Sequence, residues 1–346
     1  MKLQTPRSVL VVGGAGYIGS HMVLALRDAG HRVTVLDNLS RGFADAVGDA
    51  PLVRGDLCVP ADLDRALAGE RYDAVMHFAA LAYVGESVHE PERYYANNVS
   101  GSLNLIAAMR RHGLDRLVFS STCATYGEPT VLPIPETHPQ RPINPYGRSK
   151  WMVEQMLVDQ AQAHGLRSIS LRYFNAAGAD PRGRAGERHA PETHLIPLVL
   201  QEALRLQRGG DPAATALQVY GSDLPTPDGS CVRDYIHVDD LCQAHLRAAE
   251  RLWSGQVQAA EFFNLANGAG FSVLEVIAAC REVTGQPIGW QSLPRRAGDP
   301  AVLVGDATRA REVLGWRPRH GELRAVVRTA WNWMLANEAP LLQQAA

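Results

Sequence analysis

The first strongly apolar run is Val9-Leu10-Val11-Val12, with no polar position on either face, which predicts a strand buried on both sides. Glycines interrupt it, residues 22–29 then carry apolar positions at helical spacing, and Gly30 ends them. A second run, Val33-Thr34-Val35-Leu36, stops at Asp37-Asn38. The alternation continues with strands at 52–54, 74–78, 116–119 and 168–171, and with helices at 61–67, around 94–111 and from 145 onward. Past residue 165 the pattern loosens. Residues 179–192 and 226–233 read as irregular, 234–238 and 262–265 as strands, and a helix opens at 194. Helices at 273–284, 307–314 and 322–335 complete the chain. Strands alternating with helices predict an α/β fold: a Rossmann-type doubly wound parallel sheet with a smaller α/β lobe. The sheet domain takes residues 1–175, with 232–262 returning to it, and the smaller lobe takes 176–231 and 263–346.

Composition changes this picture little. Hydrophobic residues make up 46% and charged residues 20%, with a formal net charge of −2, so neither a nucleic-acid nor an anionic-membrane partner is indicated. No apolar stretch approaches the roughly 20 residues of a membrane span, and no signal-peptide core precedes the first strand. Cys58, Cys123, Cys231, Cys242 and Cys280 are scattered singly, without zinc spacing. The expectation is a reduced, cytoplasmic protein with free thiols and no metal.

The glycines after the first strand read Gly13-x-x-Gly16-x-x-Gly19. A strand before them, a helix after them and Asp37 at the tip of the next strand fit a dinucleotide site. The glycines allow a tight turn and close approach of a pyrophosphate, and the carboxylate suits the ribose hydroxyls. That carboxylate would repel a 2′-phosphate, which favours NAD over NADP; Arg41 nearby weighs the other way. Asp56 is placed to bond an adenine amino group, and Ala79-Ala80 end the fourth strand with little bulk. The fifth strand ends in Ser120-Ser121-Thr122-Cys123-Ala124-Thr125-Tyr126, a hydroxyl cluster that serves a turn or a bound ligand.

All but two of the 34 basic residues are arginine; the lysines are Lys2 and Lys150. Lys150 stands four residues after Tyr146, in a segment opened by Pro145 and helical beyond it. Positions i and i+4 share a helix face, and an ammonium beside a phenol favours the phenolate. A surface lysine following a tyrosine by chance gives the same spacing.

Together these residues identify the chain as similar to the extended short-chain dehydrogenase/reductases. More narrowly it resembles the UDP-glucose (UDP-galactose) 4-epimerase family, with agreement also at 84–87, 171–175, 232–237 and 295–299. The resemblance implies NAD-dependent inversion of C4 in a UDP-hexose through a transient 4-keto intermediate. It makes Tyr146 the base, Lys150 its modulator and a ligand of the nicotinamide ribose, and Thr122 a hydrogen-bond partner of the 4-oxygen. It assigns NAD contacts to Gly13, Gly16, Tyr17, Ile18, Gly19, Asp37, Asn38, Asp56, Leu57, Phe78, Ala79, Ala80, Asn97, Ser120, Tyr146, Lys150 and Tyr173. Sugar-nucleotide contacts fall on Thr122, Tyr146, Asn175, Leu195, Arg233, Arg296 and Asp299. A homodimer is implied, with helices near 94–111 and 151–162 as candidate interface.

Two departures from the family stand out. Ala82 occupies the place of a lysine that helps bind NAD, so looser cofactor retention and some cofactor-free protein are expected. Leu303 stands at the gate of the sugar pocket, between the tyrosine that excludes N-acetyl sugars and the small residue that admits them. UDP-N-acetylglucosamine therefore remains an alternative substrate, and resemblance to pentose epimerases at 80–84 and 121–126 keeps UDP-xylose/UDP-arabinose as another. Cys123-Ala124 offers no carboxylate after Thr122, which speaks against a dehydratase. The presence of Thr122, Tyr146 and Lys150 together speaks against a non-catalytic NAD sensor.

Overall fold

Six strands, β1 (Ser8–Val12), β2 (Arg32–Asp37), β3 (Leu52–Arg54), β4 (Ala74–His77), β5 (Arg116–Thr122) and β6 (Arg167–Tyr173), are joined by a late strand, Ala260–Leu265. Their spatial order is 3-2-1-4-5-6, with the late strand on the edge beside β6. Every pairing in this sheet is parallel. The structure is a computed structural model and describes residues 5–215, 217–295 and 300–337.

The unbroken apolar strands follow from burial on both faces. Val9 and Val11 of β1 pack with Met22, Val23 and Leu26 of the helix Tyr17–Asp28 on one side. Leu10 and Val12 pack with Leu63, Leu117, Phe119 and Val153 on the other. A third core joins the helices Leu195–Gln207, Val273–Thr284 and Leu323–Ala336 in the smaller lobe. Short strands outside the main sheet link this lobe to it: Asn175–Ala177 pairs with Tyr235–His237, and Val232–Arg233 pairs with both Phe271–Ser272 and Val302–Leu303.

Three expectations need correcting. The helix around 94–111 is not continuous: Pro91–Tyr94 is α-helical, Tyr95–Ser100 is a π turn and Gly101–Arg111 resumes the α-helix. The wider turn accommodates Asn98, which is buried and bonds Leu81 N, Leu81 O and Ser149 Oγ at 2.9, 2.9 and 3.0 Å. The section 226–233 is not wholly irregular, since Val232–Arg233 forms the strand just described. The part returning to the main sheet also extends past residue 262, because the late strand spans Ala260–Leu265 and its Phe263 and Leu265 are both fully buried against the main core.

Candidate active site

β1 and β4 are neighbours from which the strand order departs in opposite directions, and ligands in such sheets bind at the carboxyl ends of that switch point. A cleft lies there, lined by Gly13 and Gly16 after β1, Asp37 and Asn38 at the end of β2, Leu57 after β3, Phe78, Ala79 and Ala80 after β4, and Asn97 from the π turn. All nine were assigned to the cofactor from sequence. Gly19 sits where a Cβ would fall 2.1 Å from the carbonyl oxygen of Gly13. Only glycine lets the helix start come that close to the loop. The start of this helix carries no side-chain cap, so its first N–H groups have no partner within the helix, an arrangement that suits an anion.

Asp37 is buried and already oriented: its carboxylate accepts from Ala15 N at 2.9 Å and Leu39 N at 2.8 Å. Burial pushes its carboxyl up, and those two N–H groups work against the rise. Asn38 Nδ2 donates to Asp56 Oδ2 at 2.8 Å, so these two residues share one rim of the cleft. Tyr17 OH donates to Gly178 O at 2.7 Å, which ties the glycine loop to the smaller lobe and leaves its backbone to meet an anion. Arg41 is committed elsewhere than to a phosphate. Its guanidinium pairs with Glu86 at 2.7 Å, donates to Ala190 O at 3.2 Å and lies 5.0 Å over the Tyr83 ring. This bracing role was not legible in the sequence, because Glu86 and Ala190 are remote from Arg41 along the chain. Ala82 is exposed at the rim.

The second half of the site forms where β5 meets the helix Pro145–His164. Asn144 caps that helix, accepting from Gly147 N at 2.8 Å, and Pro145 opens it as expected. A Cβ on Gly147 would fall 2.4 Å from Ala124 O, so glycine there allows the helix start to press against the turn after β5. That contact sets Tyr146 beside Thr122. Ser120, Tyr173 at the end of β6, and Lys150 complete the group: the Ser120 and Tyr173 hydroxyls bond, and Lys150 Nζ donates to Ser120 O at 2.8 Å. Lys150 also lies 4.8 Å over the Phe119 ring.

The electrostatics differ from the simple sequence picture. Burial pushes the Tyr146 phenol up to about 12, and the force acting against it is the Thr122 hydrogen bond. The ammonium of Lys150 is directed at a backbone carbonyl, and burial pushes it down to about 7, opposed by Glu154 one helical turn further on. Between about 7 and the ordinary 10.5 the folded chain holds Lys150 neutral while the unfolded chain still protonates it. Stability therefore rises with pH in that window. The melting temperature of the wild type relative to Lys150→Met is expected to climb as pH rises through it. A difference that stays flat or falls would contradict this placement of the ammonium.

Behind the site lies a network that sequence reasoning missed. Glu154 and Arg172 form an ion pair at 2.7 Å with side-chain exposures of 0% and 5%. Glu154 also accepts from Ser121 Oγ at 2.5 Å and Gln140 Nε2 at 2.8 Å. Arg172 Nη1 donates to Tyr126 OH at 3.0 Å, and Tyr126 OH donates to Asn264 at 2.6 Å. Ser121 points away from Ser120 and Thr122 because side chains alternate along a strand. One face of β5 thus carries the site and the other carries its anchor. The sequence signal was Glu154 at i+4 from Lys150, on a buried helix face that also carries Val153 and Leu157.

The assigned sugar-nucleotide residues are partly gathered. Arg233 is buried at the strand pair with Leu303, and its charge acts on the Cys123 thiol next to Thr122. Asn175 begins the short strand after β6, and Leu195 begins the helix Leu195–Gln207. Arg296 and Asp299 lie outside the described residues.

The residues present suit NAD: a glycine cradle at a helix start, an oriented carboxylate at the tip of β2 and a small-residue wall. Comparisons agree. Residues 9–266 match the NAD dependent epimerase/dehydratase family. The UDP-glucose 4-epimerase of Halalkalibacterium halodurans is 49% identical, covering 94% of this chain and 95% of its own. The UDP-glucose 4-epimerase of Brucella ovis, solved in complex with NAD, superposes with a TM-score of 0.88 at 46% identity, over 94% and 98% of the two chains. A UDP-glucose-4-epimerase from Stenotrophomonas maltophila, with bound NAD and formylated UDP-arabinopyranose, gives 0.89 at 39% identity, over 98% and 100%.

Proposed function

The chain belongs to the NAD dependent epimerase/dehydratase family, and we propose that Tyr146, Thr122 and Lys150 are the residues that carry out its chemistry. It is an enzyme that uses NAD to invert C4 of a UDP-hexose, interconverting UDP-glucose and UDP-galactose through a 4-keto sugar. Bound NAD supplies the acceptor and donor of the C4 hydride. Tyr146 takes the proton of the 4-hydroxyl and returns it to the 4-oxygen on the opposite configuration. Thr122 holds that oxygen and the phenol in one hydrogen-bonded line, and Lys150, when protonated, favours the phenolate and reaches the nicotinamide ribose. The observation that carries this reading is the gathering of Tyr146, Thr122 and Lys150 at the carboxyl end of β5, beside the cofactor cleft.

The remaining assigned residues fill out the reading. Gly13, Gly16, Tyr17, Ile18 and Gly19 hold pyrophosphate, Asp37 and Asn38 the ribose, Asp56 and Leu57 the adenine. Phe78, Ala79, Ala80, Asn97, Ser120 and Tyr173 line the nicotinamide path. Asn175, Leu195, Arg233, Arg296 and Asp299 receive the sugar nucleotide, the arginines by gripping phosphate oxygens. The nucleotide-binding part comprises 1–175 with 232–265, and the remainder makes the substrate part. Among the described residues no helix is long and apolar enough to cross a membrane. A cytoplasmic setting fits the five free cysteines. A homodimer is supported by Leu103 and Met152, exposed at 46% and 40% on the helices expected to meet a second copy.

The assay that tests the hexose assignment compares turnover of UDP-galactose, UDP-arabinose and UDP-N-acetylglucosamine by protein with nicotinamide absorbance. UDP-galactose is expected to be fastest, and a reversed ranking overturns the assignment. Thr122→Val removes one hydrogen bond to a developing charge, so kcat/KM is expected to fall by about 1.5–3 kcal/mol in barrier terms, roughly 10–150-fold. An unchanged kcat/KM would remove Thr122 from the mechanism.

A further inference from the structure

Ahead of Leu195 the chain reads Glu187-x-His189-x-x-Glu192-x-His194, and the structure folds these four side chains onto one another. His194 Nδ1 lies 2.5 Å from Glu187 Oε1 and 3.8 Å from Glu192 Oε1. His189 Nδ1 lies 3.5 Å from the same Glu187 oxygen and 3.3 Å from Glu192 Oε2. One donor atom from each residue falls within 4.8 Å of all the others. A tetrahedral ion bound at about 2.0–2.1 Å sets its donors about 3.3 Å apart, so these separations bracket the edges of a zinc-type tetrahedron.

Burial points the same way. The Glu187 and Glu192 side chains are 5% and 6% exposed, and among the described residues their cationic partners are imidazoles alone. Two buried carboxylates with no arginine or lysine between them are compensated by these two imidazoles, a role that a divalent cation held by all four groups would take over. Glu192 is already oriented to meet one. Its Oε1 accepts from Thr193 N and His194 N at 2.8 Å each, which fixes the carboxylate as outer-shell bonds do in metal sites.

We propose that Glu187, His189, Glu192 and His194 form a binding site for one borderline divalent transition ion, of the zinc class. Two imidazoles with two carboxylates suit such an ion better than magnesium or calcium, which prefer oxygen alone. The ion neutralises both carboxylates, and the proton shared by His194 and Glu187 leaves to solvent as it binds. The site lies at the edge of the cofactor cleft. Tyr83 OH donates to Pro191 O at 3.2 Å, Arg41 donates to Ala190 O, and the His189 ring is 6.1 Å from that of Tyr17. A bound ion would brace residues 187–194 across the glycine loop and the Tyr83 segment, where the family lysine is replaced by Ala82. The sequence expectation of no metal overlooked this spacing because it is not a familiar zinc motif.

The test uses tag-free holoenzyme, stripped with a chelator and titrated with Zn²⁺ against a chromophoric competitor and separately with Co²⁺. Expected are one ion per chain at sub-micromolar affinity and the intense visible bands of tetrahedral Co²⁺. Loss of a ligand in His189→Ala or Glu192→Gln should weaken binding by more than about 100-fold, beyond the loss typical of outer-shell changes. His164→Ala, at an exposed position, should bind as the wild type does. Far-UV circular dichroism and NAD content verify that each variant is folded, and the Co²⁺ spectrum of the wild type stands as evidence even if a variant is not. Absence of binding by the wild type, the weak bands of six-coordinate Co²⁺, or undiminished affinity in both variants would overturn the proposal.

Discussion

Replacing Tyr146 by phenylalanine is expected to slow epimerisation about 10²–10⁴-fold, the range for removing a positioned acid–base group. That corresponds to roughly 3–5 kcal/mol of barrier. The ring stays, so packing at the helix start and the NAD content should be retained; only the oxygen that meets Thr122 is lost. The variant should also lose the acid limb of the rate profile. In the wild type, burial raises the phenol to about 12, so the phenolate is scarce and activity grows with pH as the proton is given up. With phenylalanine there is no such group to titrate. The measurement is UDP-galactose turnover across pH, with bound nicotinamide quantified by absorbance. Near-normal turnover in this variant would remove Tyr146 from the chemistry. Loss of NAD alongside activity would show that the hydroxyl serves cofactor binding rather than proton transfer.

The largest expected stability effect lies at Arg172. Arg172→Met leaves the Glu154 carboxylate, fully buried, with only Ser121 and Gln140 as partners. Breaking a buried pair from one side typically costs about 3–5 kcal/mol, because the remaining charge is uncompensated. Chemical denaturation should report a loss of that order, a large part of the stability of a typical domain. Adding Glu154→Leu should recover much of it, since the pair replaced by apolar groups no longer holds an unpaired charge. If the single variant stays within about 1 kcal/mol of the wild type, the pair is not the anchor described here. The double variant carries a second readout. Glu154 is the group that holds the Lys150 ammonium against desolvation, so the double variant should recover stability without recovering full activity.

The sequence alone determined the parallel sheet, because strands buried on both faces show as unbroken apolar runs such as Val9–Val12. It determined the cofactor loop and the Tyr146–Lys150 helix as well, since close packing at Gly19 and the Asn144-Pro145 helix start are local properties of a few consecutive residues. Tertiary structure alone decided what lies between distant segments. Arg172 meets Glu154 and Arg41 meets Glu86 only because the sheet order brings their elements together. The π turn at Tyr95–Ser100 follows from the buried partners of Asn98, which no helical periodicity could announce. The Lys150 ammonium faces Ser120 O because β5 runs beneath the helix. Helix spacing fixes which side chains share a face, while the neighbours that face meets, and the solvent it excludes, set what those side chains can do.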